Sequence, residues 1–419
     1  MTVRPTGATA PDAAPPQAGD TEGEQPPRLT DLLGLGAGTL ADLMPSLAAA
    51  MAVPGYVDRL AVGPVTQAVV LLVDGLGWEL LRANLDAAPF LADLAAESGR
   101  PITTGFPSTT VTSLGSLGTG HAAGVHGLVG YSFDLGGPGA GLPAAGANHA
   151  AGANHVAGLL SPITWPETVD PLVVQPGETL FERATADGVA VTHVAPRKLK
   201  AGGLTKAALR GGAFCGADTM GEIVDATAAA LGGPGRTLVY VYSGDLDNVG
   251  HRRGCQSEGW RAQLAHVDLL ARHLVHVLPP HAALFITADH GMVDVPQDQR
   301  VDFDAEADLS VGVRALGGEA RARHVYTKPG AEAYVLAAWR DRLAGAAWVL
   351  SRAEAVAAGW FGPTVTDRVL PRIGDVVVAS RGASAVVART TYAGEAELVG
   401  FHGSFTSAEM LVPLLCASP

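Results

Sequence analysis

The first 27 residues, "MTVRPTGATAPDAAPPQAGDTEGEQPP", mix Pro, Ala, Gly and acids with almost nothing to bury, a pattern that predicts a disordered tail. From Leu29 a periodic apolar pattern begins, and "LTDLLGLGAGTLADLMPSLAAAM" predicts one or two helices leading into the fold. Beyond it one pattern recurs: an apolar, β-branched run ends in a polar or charged cluster, and a helical segment follows. Four such runs are "AVVLLVD" ending at Asp74, "VAVTHVAP" around residue 192, "TLVYVYSGDLD" ending at Asp247 and "ALFITADH" ending at His290. Uniformly apolar strands separated by helices predict an α/β fold with a mostly parallel sheet covered on both faces. Ligands of such sheets bind outside the carboxyl ends of the strands, where three of the four runs place Asp, or Asp with His.

Two segments interrupt the pattern. Residues 134–170 are rich in Gly, Pro and Ala and carry a tandem repeat, "AAGANH" at 144–149 and again at 150–155. A duplicated, solvated loop insertion is expected there, in preference to a metal site built on His149 and His155. Residues 303–395 contain strand-like "ARHVYTK", helix-like "AEAYVLAAWRDRLAG", then "AAWVLS", "DVVVAS" and "SAVVART", which predicts a small inserted α+β subdomain.

Composition narrows the function classes. A net charge of -13 over 419 residues excludes a non-specific nucleic-acid binder, which needs a basic face. A small anionic substrate stays compatible if metal ions supply local positive charge. Cys215, Cys255 and Cys416 are too scattered for a disulfide framework or a cysteine zinc site, so a reducing, cytoplasmic setting is expected. No basic stretch followed by an apolar core opens the chain, so no signal peptide is expected. The longest apolar run is broken by Asp74 and glycines, so no membrane association is expected either.

The candidate chemistry lies at the ends of the runs. Asp74 in "VLLVDGLG", taken alone, reads more commonly as a helix cap or turn residue than as a ligand at the sheet's edge. In "DLDNVGHRRG", Asp247 and His251 stand four apart, and Gly250 would let the chain bend so that both converge on one ion; an Asp-capped helix start with a surface His is the competing reading. Asp245 is a spare carboxylate suited to capping or support. In "TADHGM", Asp289 and His290 follow a buried run, where charge must be paired or metal-bound, and Gly291 eases the turn that brings both to one ion. His402 in "VGFHGSFT" gains weight only from this company. Three carboxylates and three imidazoles, with substrate oxygens and a bridging nucleophile, suit two zinc-like ions of roughly four ligands each, ~4 Å apart. "FPSTTVTSLGSLGTG" then supplies hydroxyls that such ions would activate.

In this order, "VVLLVDGLG", "FPSTTVTSLGSLGTGHAAGVHG", "YSGDLDNVGH", "ITADHGM" and "GFHG" resemble the alkaline phosphatase superfamily, in its branch of type I phosphodiesterases and nucleotide pyrophosphatases, from Gln67 to about Ser404. The resemblance implies a three-layer α/β/α catalytic domain over residues 28–419, carrying the insertion and the subdomain. It implies two divalent ions, zinc by expectation, one held by Asp74, Asp289 and His290 and the other by Asp247, His251 and His402. Thr110 falls on the nucleophile position of the family's Phe-Pro-Ser-x-Thr pattern and would also contact the first ion; Thr109 is the next candidate. The implied reaction is a ping-pong displacement: Thr110 attacks phosphorus in line, and water then hydrolyses a phosphothreonine. Ser113 stands where the resemblance calls for a substrate-binding Asn, three residues after the nucleophile, and so becomes the candidate substrate contact.

A sulfatase of the superfamily would need a Cys/Ser-x-Pro-x-Arg motif, which does not occur at the nucleophile position. A phosphomonoesterase would use an Arg clamp, for which Arg197 in "APRKLK" is the candidate, and a phosphonoacetate-type hydrolase would share the Thr and the ions. A non-catalytic metal- or phosphate-binding protein is the alternative outside enzymes, and the retention of all six ligand positions with Thr110 argues against it.

Overall fold

The uniformly apolar runs become neighbouring strands. A computed structural model describes residues 26–28, 36, 38–136 and 158–419. In it β1 (Gln67–Val73), β2 (Arg100–Thr103), β3 (Ala190–Ala195), β4 (Ala213–Gly216), β5 (Thr237–Ser243) and β6 (Ala282–Thr287) form one sheet with the C-terminal strand Leu411–Ala417. The order is β2, C-terminal strand, β6, β1, β5, β3, β4. All neighbouring pairs from β6 to β4 are parallel; only the C-terminal strand runs antiparallel, to β6 and β2. Every residue of β1 and β6 is buried, as central strands must be when helices cover both faces.

Two groups of helices supply that cover. Pro89–Glu97, Met220–Leu231 and Glu258–His276 pack on one another and on the sheet, and Leu43–Ala50, Thr110–Thr119, Leu180–Ala186 and Gly203–Ala208 make the second group. The result is the three-layer α/β/α arrangement. The long helix shows why these segments are helical: Trp260, Leu264, Val267, Ala271 and Leu274 recur on one buried stripe, the spacing of a single helical face. Ser257 caps it by accepting from the Trp260 N–H. The helical pattern expected from Leu29 begins at Leu40 among the described residues, with one turn running into Leu43–Ala50.

Residues 303–395 contain a second, antiparallel sheet of four strands in the order Ala347–Ser351, Val376–Ser380, Ala322–Thr327, Val313–Glu319. Helix Glu332–Arg342 closes it with Trp339 and Val335 in a separate core. The tail up to residue 25 and the "AAGANH" repeats, with His149 and His155, lie outside the described residues. Within the insertion, Leu160 pairs with Phe133 just before it through backbone hydrogen bonds of 3.0 and 2.8 Å. Among the described residues no helix is long and apolar enough to cross a membrane.

Candidate metal centre and nucleophile

Strands β6, β1 and β5 are adjacent, so the loops leaving their carboxyl ends meet at one place. β1 delivers Asp74, β6 delivers Asp289 and His290, and β5 leads into helix Asp245–Arg253, which carries Asp247 and His251. Two close approaches depend on glycine. Gly75 has φ +77°, and a side chain there would press on Asp247 at 3.1 Å; a Cβ on Gly291 would strike the Ala408 carbonyl at 1.9 Å.

Asp74, Asp289 and His290 form one buried group, and Asp247, His251 and His402 a second in which only His402 is buried; within each, the ligand atoms all lie within 4.8 Å of one another. His290 Nε2 is 3.3 Å from Asp74 Oδ1 and 3.6 Å from Asp289 Oδ2. His251 Nε2 is 3.3 Å from Asp247 Oδ1. The rings of His290 and His402 stack with centroids 3.6 Å apart, so the two groups share a wall. The bend expected at Gly250 does not occur. Asp247 and His251 are instead one turn apart on a continuous helix, where residues four apart face the same way. Asp245, in the first turn of that helix, is exposed at the cavity edge.

Each histidine is oriented alike. Nδ1 of His290 donates to the Gly291 carbonyl at 2.9 Å, that of His251 to Gly400 at 2.8 Å, and that of His402 to Ser108 at 3.1 Å. Since a carbonyl only accepts, Nδ1 of each ring carries a proton and Nε2 is the atom left to face the centre, the arrangement usual for metal-bound imidazoles. Asp247 Oδ1 and Asp289 Oδ2 are buried with no hydrogen-bond partner among the described residues. Orphaned carboxylate oxygens beside imidazole Nε2 atoms fit divalent cations with nitrogen and oxygen donors, zinc among them.

The electrostatics point the same way. Burial, then the charge of Asp74, pushes Asp289 up to about 7. Burial alone would lower His290, yet the charges of Asp289 and Asp74 outweigh it and hold it well above the usual imidazole value. The cluster demands positive charge, from a proton or a cation. Burial drives His402 well below its ordinary value, keeping it neutral and able to ligate.

Thr110 is the first residue of helix Thr110–Thr119. Its Oγ1 lies 3.2 Å from His290 Nε2 and 3.5 Å from Asp74 Oδ1. The Thr109 hydroxyl turns instead toward Glu319. Ser113 requires a correction. It is fully buried, and its Oγ donates to the Asp289 carbonyl at 2.6 Å, so it braces the loop carrying a candidate ligand and does not line the cavity. Arg197 is likewise committed elsewhere, to Asp218 at 2.5 Å and Glu222 at 2.7 Å, and is not positioned as a phosphate clamp.

Three further features had no signal in the sequence. The Tyr242 hydroxyl donates to Asp74 Oδ2. Glu319, at the end of a strand of the inserted sheet, lies 3.2 Å from His402 Nδ1. Arg321 and Glu409, both fully buried, pair through two bonds of 2.6 and 2.7 Å and fix the segment that follows His402. Above them a cavity of about 520 Å³ is lined by Asp74, Thr110, Tyr131, Lys198, Tyr242 and Arg252 among others.

Comparison with known proteins gives these residues a context. The model of the type I phosphodiesterase / nucleotide pyrophosphatase family matches residues 68–405, which span all five motifs. Murine ectonucleotide pyrophosphatase / phosphodiesterase 5 has a similar fold in two structures, one of them an inactive form in complex with AMP, each with TM-score 0.63 and 16% identity over 84% of this chain and 88% of that one. The human protein of the same name aligns over the same shares at TM-score 0.65 and 16% identity. A search of curated proteins returned no match. With most of its length matched by the family model, the chain belongs to the type I phosphodiesterase/nucleotide pyrophosphatase family and is a hydrolase of that type.

Proposed function

We propose that the chain hydrolyses phosphodiesters, nucleotide esters among them, through Thr110 as nucleophile and two divalent cations of the zinc class. Asp74, Asp289 and His290 would hold one ion, and Asp247, His251 and His402 the other. One observation carries the reading: the Thr110 hydroxyl, at a helix N-terminus, lies 3.2 Å from His290 Nε2 beside two adjoining ligand groups, in each of which one buried carboxylate oxygen is without a partner. When bound, the ions supply Lewis acidity that eases loss of the Thr110 proton and offsets charge on the phosphoryl oxygens.

The protein's own groups do the rest. The backbone N–H groups of the first helical turn, Thr110 to Thr112, have no partner inside the helix and face a phosphoryl group with the positive end of the helix dipole. Asp74 is held by the Tyr242 hydroxyl, which fixes the carboxylate beside Thr110. Thr110 Oγ1 attacks phosphorus, the bond to the leaving oxygen breaks, and water then cleaves the phosphothreonine and restores the hydroxyl. Arg197, bound to Asp218 and Glu222, offers no clamp for the extra charge of a monoester.

Purified zinc-loaded protein assayed on the nitrophenyl phosphodiester of thymidine, a nitrophenyl monoester and phosphonoacetate tests this. The diester should turn over fastest. Faster cleavage of the monoester or the phosphonate would overturn the substrate class, and no turnover on any of them with two ions bound would overturn the catalytic reading.

A further inference from the structure

The helix that begins at Thr110 ends at a second cavity. Its last residue, Thr119, and its cap, Gly120, line a space of about 480 Å³ with Pro45, Tyr56, Gln175 and Arg368 among others. The ten residues of the helix rise about 15 Å, so this cavity lies far from the candidate nucleophile. No described residue lines both it and the metal cleft.

Two arginines at its wall carry charge that nothing around them balances. Arg368 is half-buried and lines the cavity, and Arg372 beside it is 3% exposed. Both donate to the Val174 carbonyl, at 2.8 and 2.9 Å, and a Cβ on Gly127 would meet Nη1 of each, at 2.9 and 2.6 Å. Arg368 also donates to the Val125 carbonyl and Arg372 to that of Gly127, both at 2.8 Å. These carbonyls, and the Phe133 ring that Arg372 overlies at 5.8 Å, orient the guanidinium groups but bring no net charge. Neither arginine pairs with a carboxylate among the described residues, and Arg372 Nε is buried without a partner. Asp42 and Glu178, the acids that line the cavity, are already matched, by Arg59 at 3.3 Å and Arg183 at 3.7 Å. The surplus reaches its neighbours: burial, then the charges of His121, Arg368 and Arg372, lowers His126 to about 3. Two like charges on one carbonyl, in a chain of net charge -13, call for an anion.

The size and charge of the space select among anions. A phosphomonoester carries about -1.5 to -2 charges at pH 7, which matches the two guanidinium groups, whose planar donors suit phosphoryl oxygens. A carboxylate or a phosphodiester would leave one positive charge unmatched. The cavity is larger than a phosphate ion, and Pro45, Tyr56 and Val57 give it an apolar wall for an organic group.

We infer that this cavity is a second anion site, which takes a phosphomonoester with its phosphoryl group on Arg368 and its organic group against Tyr56. The product of the proposed hydrolysis belongs to this class, but binding here requires no turnover, so the inference stands or falls apart from that reading.

Calorimetric titration of the zinc-loaded full chain with phenylphosphonate, which has the dianionic head and no ester bond to cleave, tests it. Arg368→Gln should weaken one binding event by at least about tenfold. Val57 is 68% exposed, so the fold tolerates a charge there: Val57→Glu should weaken the same event about threefold and Val57→Lys strengthen it about threefold. Inorganic phosphate should bind about tenfold more weakly, because it leaves the apolar wall uncovered. No event that responds to Arg368→Gln, equal affinity in the two Val57 variants, or equal affinity for phosphate and phenylphosphonate would overturn the site. Binding that behaves as expected in a chain that turns over no phosphodiester would uphold the site and overturn the proposed function.

Discussion

Glu319 Oε2 stands 3.2 Å from His402 Nδ1, the ring nitrogen opposite the one offered to the candidate metal centre. The same Nδ1–H reaches the Ser108 carbonyl at 3.1 Å, so a carboxyl and a carbonyl together hold the ring with Nε2 turned inward. Burial pushes Glu319 up to about 8 and His402 down, so the contact joins a neutral ring to a carboxyl and is no surface ion pair. Carboxylate partners of metal-bound histidines fix the ring's tautomer and orientation, and their loss costs about 10–100-fold in metal affinity. Glu319→Ala should therefore weaken one of two zinc sites by about that factor, and Glu319→Gln, which still accepts from Nδ1, by less. Competitive titration with a zinc chelator measures both. Two unchanged affinities in Glu319→Ala would remove Glu319 from any role at the centre.

The Thr110 and Thr109 hydroxyls diverge, one toward Asp74 and His290, the other toward Glu319. Thr110→Ala should lower turnover of a nitrophenyl phosphodiester by of order 10⁴-fold, while zinc per chain stays near two. Thr109→Ala should keep measurable activity. The reverse ranking would move the nucleophile by one residue.

The site was readable from sequence where chemistry broke a burial pattern. Asp74, Asp289 and His290 end uniformly apolar strands, and no core explains charge there. Glu319 ends a strand too, but its neighbours "VRALGGE" read equally well as an exposed hairpin edge, and only packing of the inserted sheet against His402 buries it. Arg321 is hidden for the same reason: its partner Glu409 is remote in sequence, and a lone Arg beside a turn gives no sign of full burial. Ser113 was misread because position along a helix does not say where a hydroxyl points. Only the fold puts the Asp289 carbonyl within its reach. Asp247 and His251 were placed correctly as neighbours but for the wrong local reason, a bend where a helix runs through.

Arg321 and Glu409 form a fully buried, two-bonded pair, and Glu409 also accepts from the Ser404 N–H at 3.0 Å while its carbonyl receives the Gly291 N–H at 2.8 Å. The pair ties the inserted sheet to the segments that carry candidate ligands His290 and His402. Removing one partner leaves the other charge buried, which costs about 3–5 kcal/mol. Arg321→Ala should lose that much in urea unfolding and should also lose zinc from the His402 side. A loss below about 1 kcal/mol would mean the pair behaves like a surface one.

His126 and His324, both remote from the candidate metal centre, each add a pH-dependent contribution to stability. Both are buried, at 2% and 1% exposure, and in each Nδ1 accepts a backbone N–H, from Leu128 at 3.1 Å and from Gly374 at 3.0 Å. Nε2 faces Ser116 Oγ at 3.2 Å in His126 and the Val129 carbonyl at 2.9 Å in His324. Protonating Nδ1 would break its bond and bury a charge. Burial, the leading cause in both, lowers His126 to about 3 and His324 to about 4. The unfolded chain takes up these protons near 6.5, so the contribution of these two histidines is full above that pH and is lost as pH drops from 6.5 toward 4. The loss approaches about 1.4 kcal/mol per pH unit for each group, or about 4 kcal/mol for both at pH 5. His324→Gln can keep both bonds without titrating. Its loss of stability between pH 7 and pH 5 in urea should be about 2 kcal/mol smaller than that of the wild type, and equal losses would show that His324 titrates alike in the folded and unfolded chain.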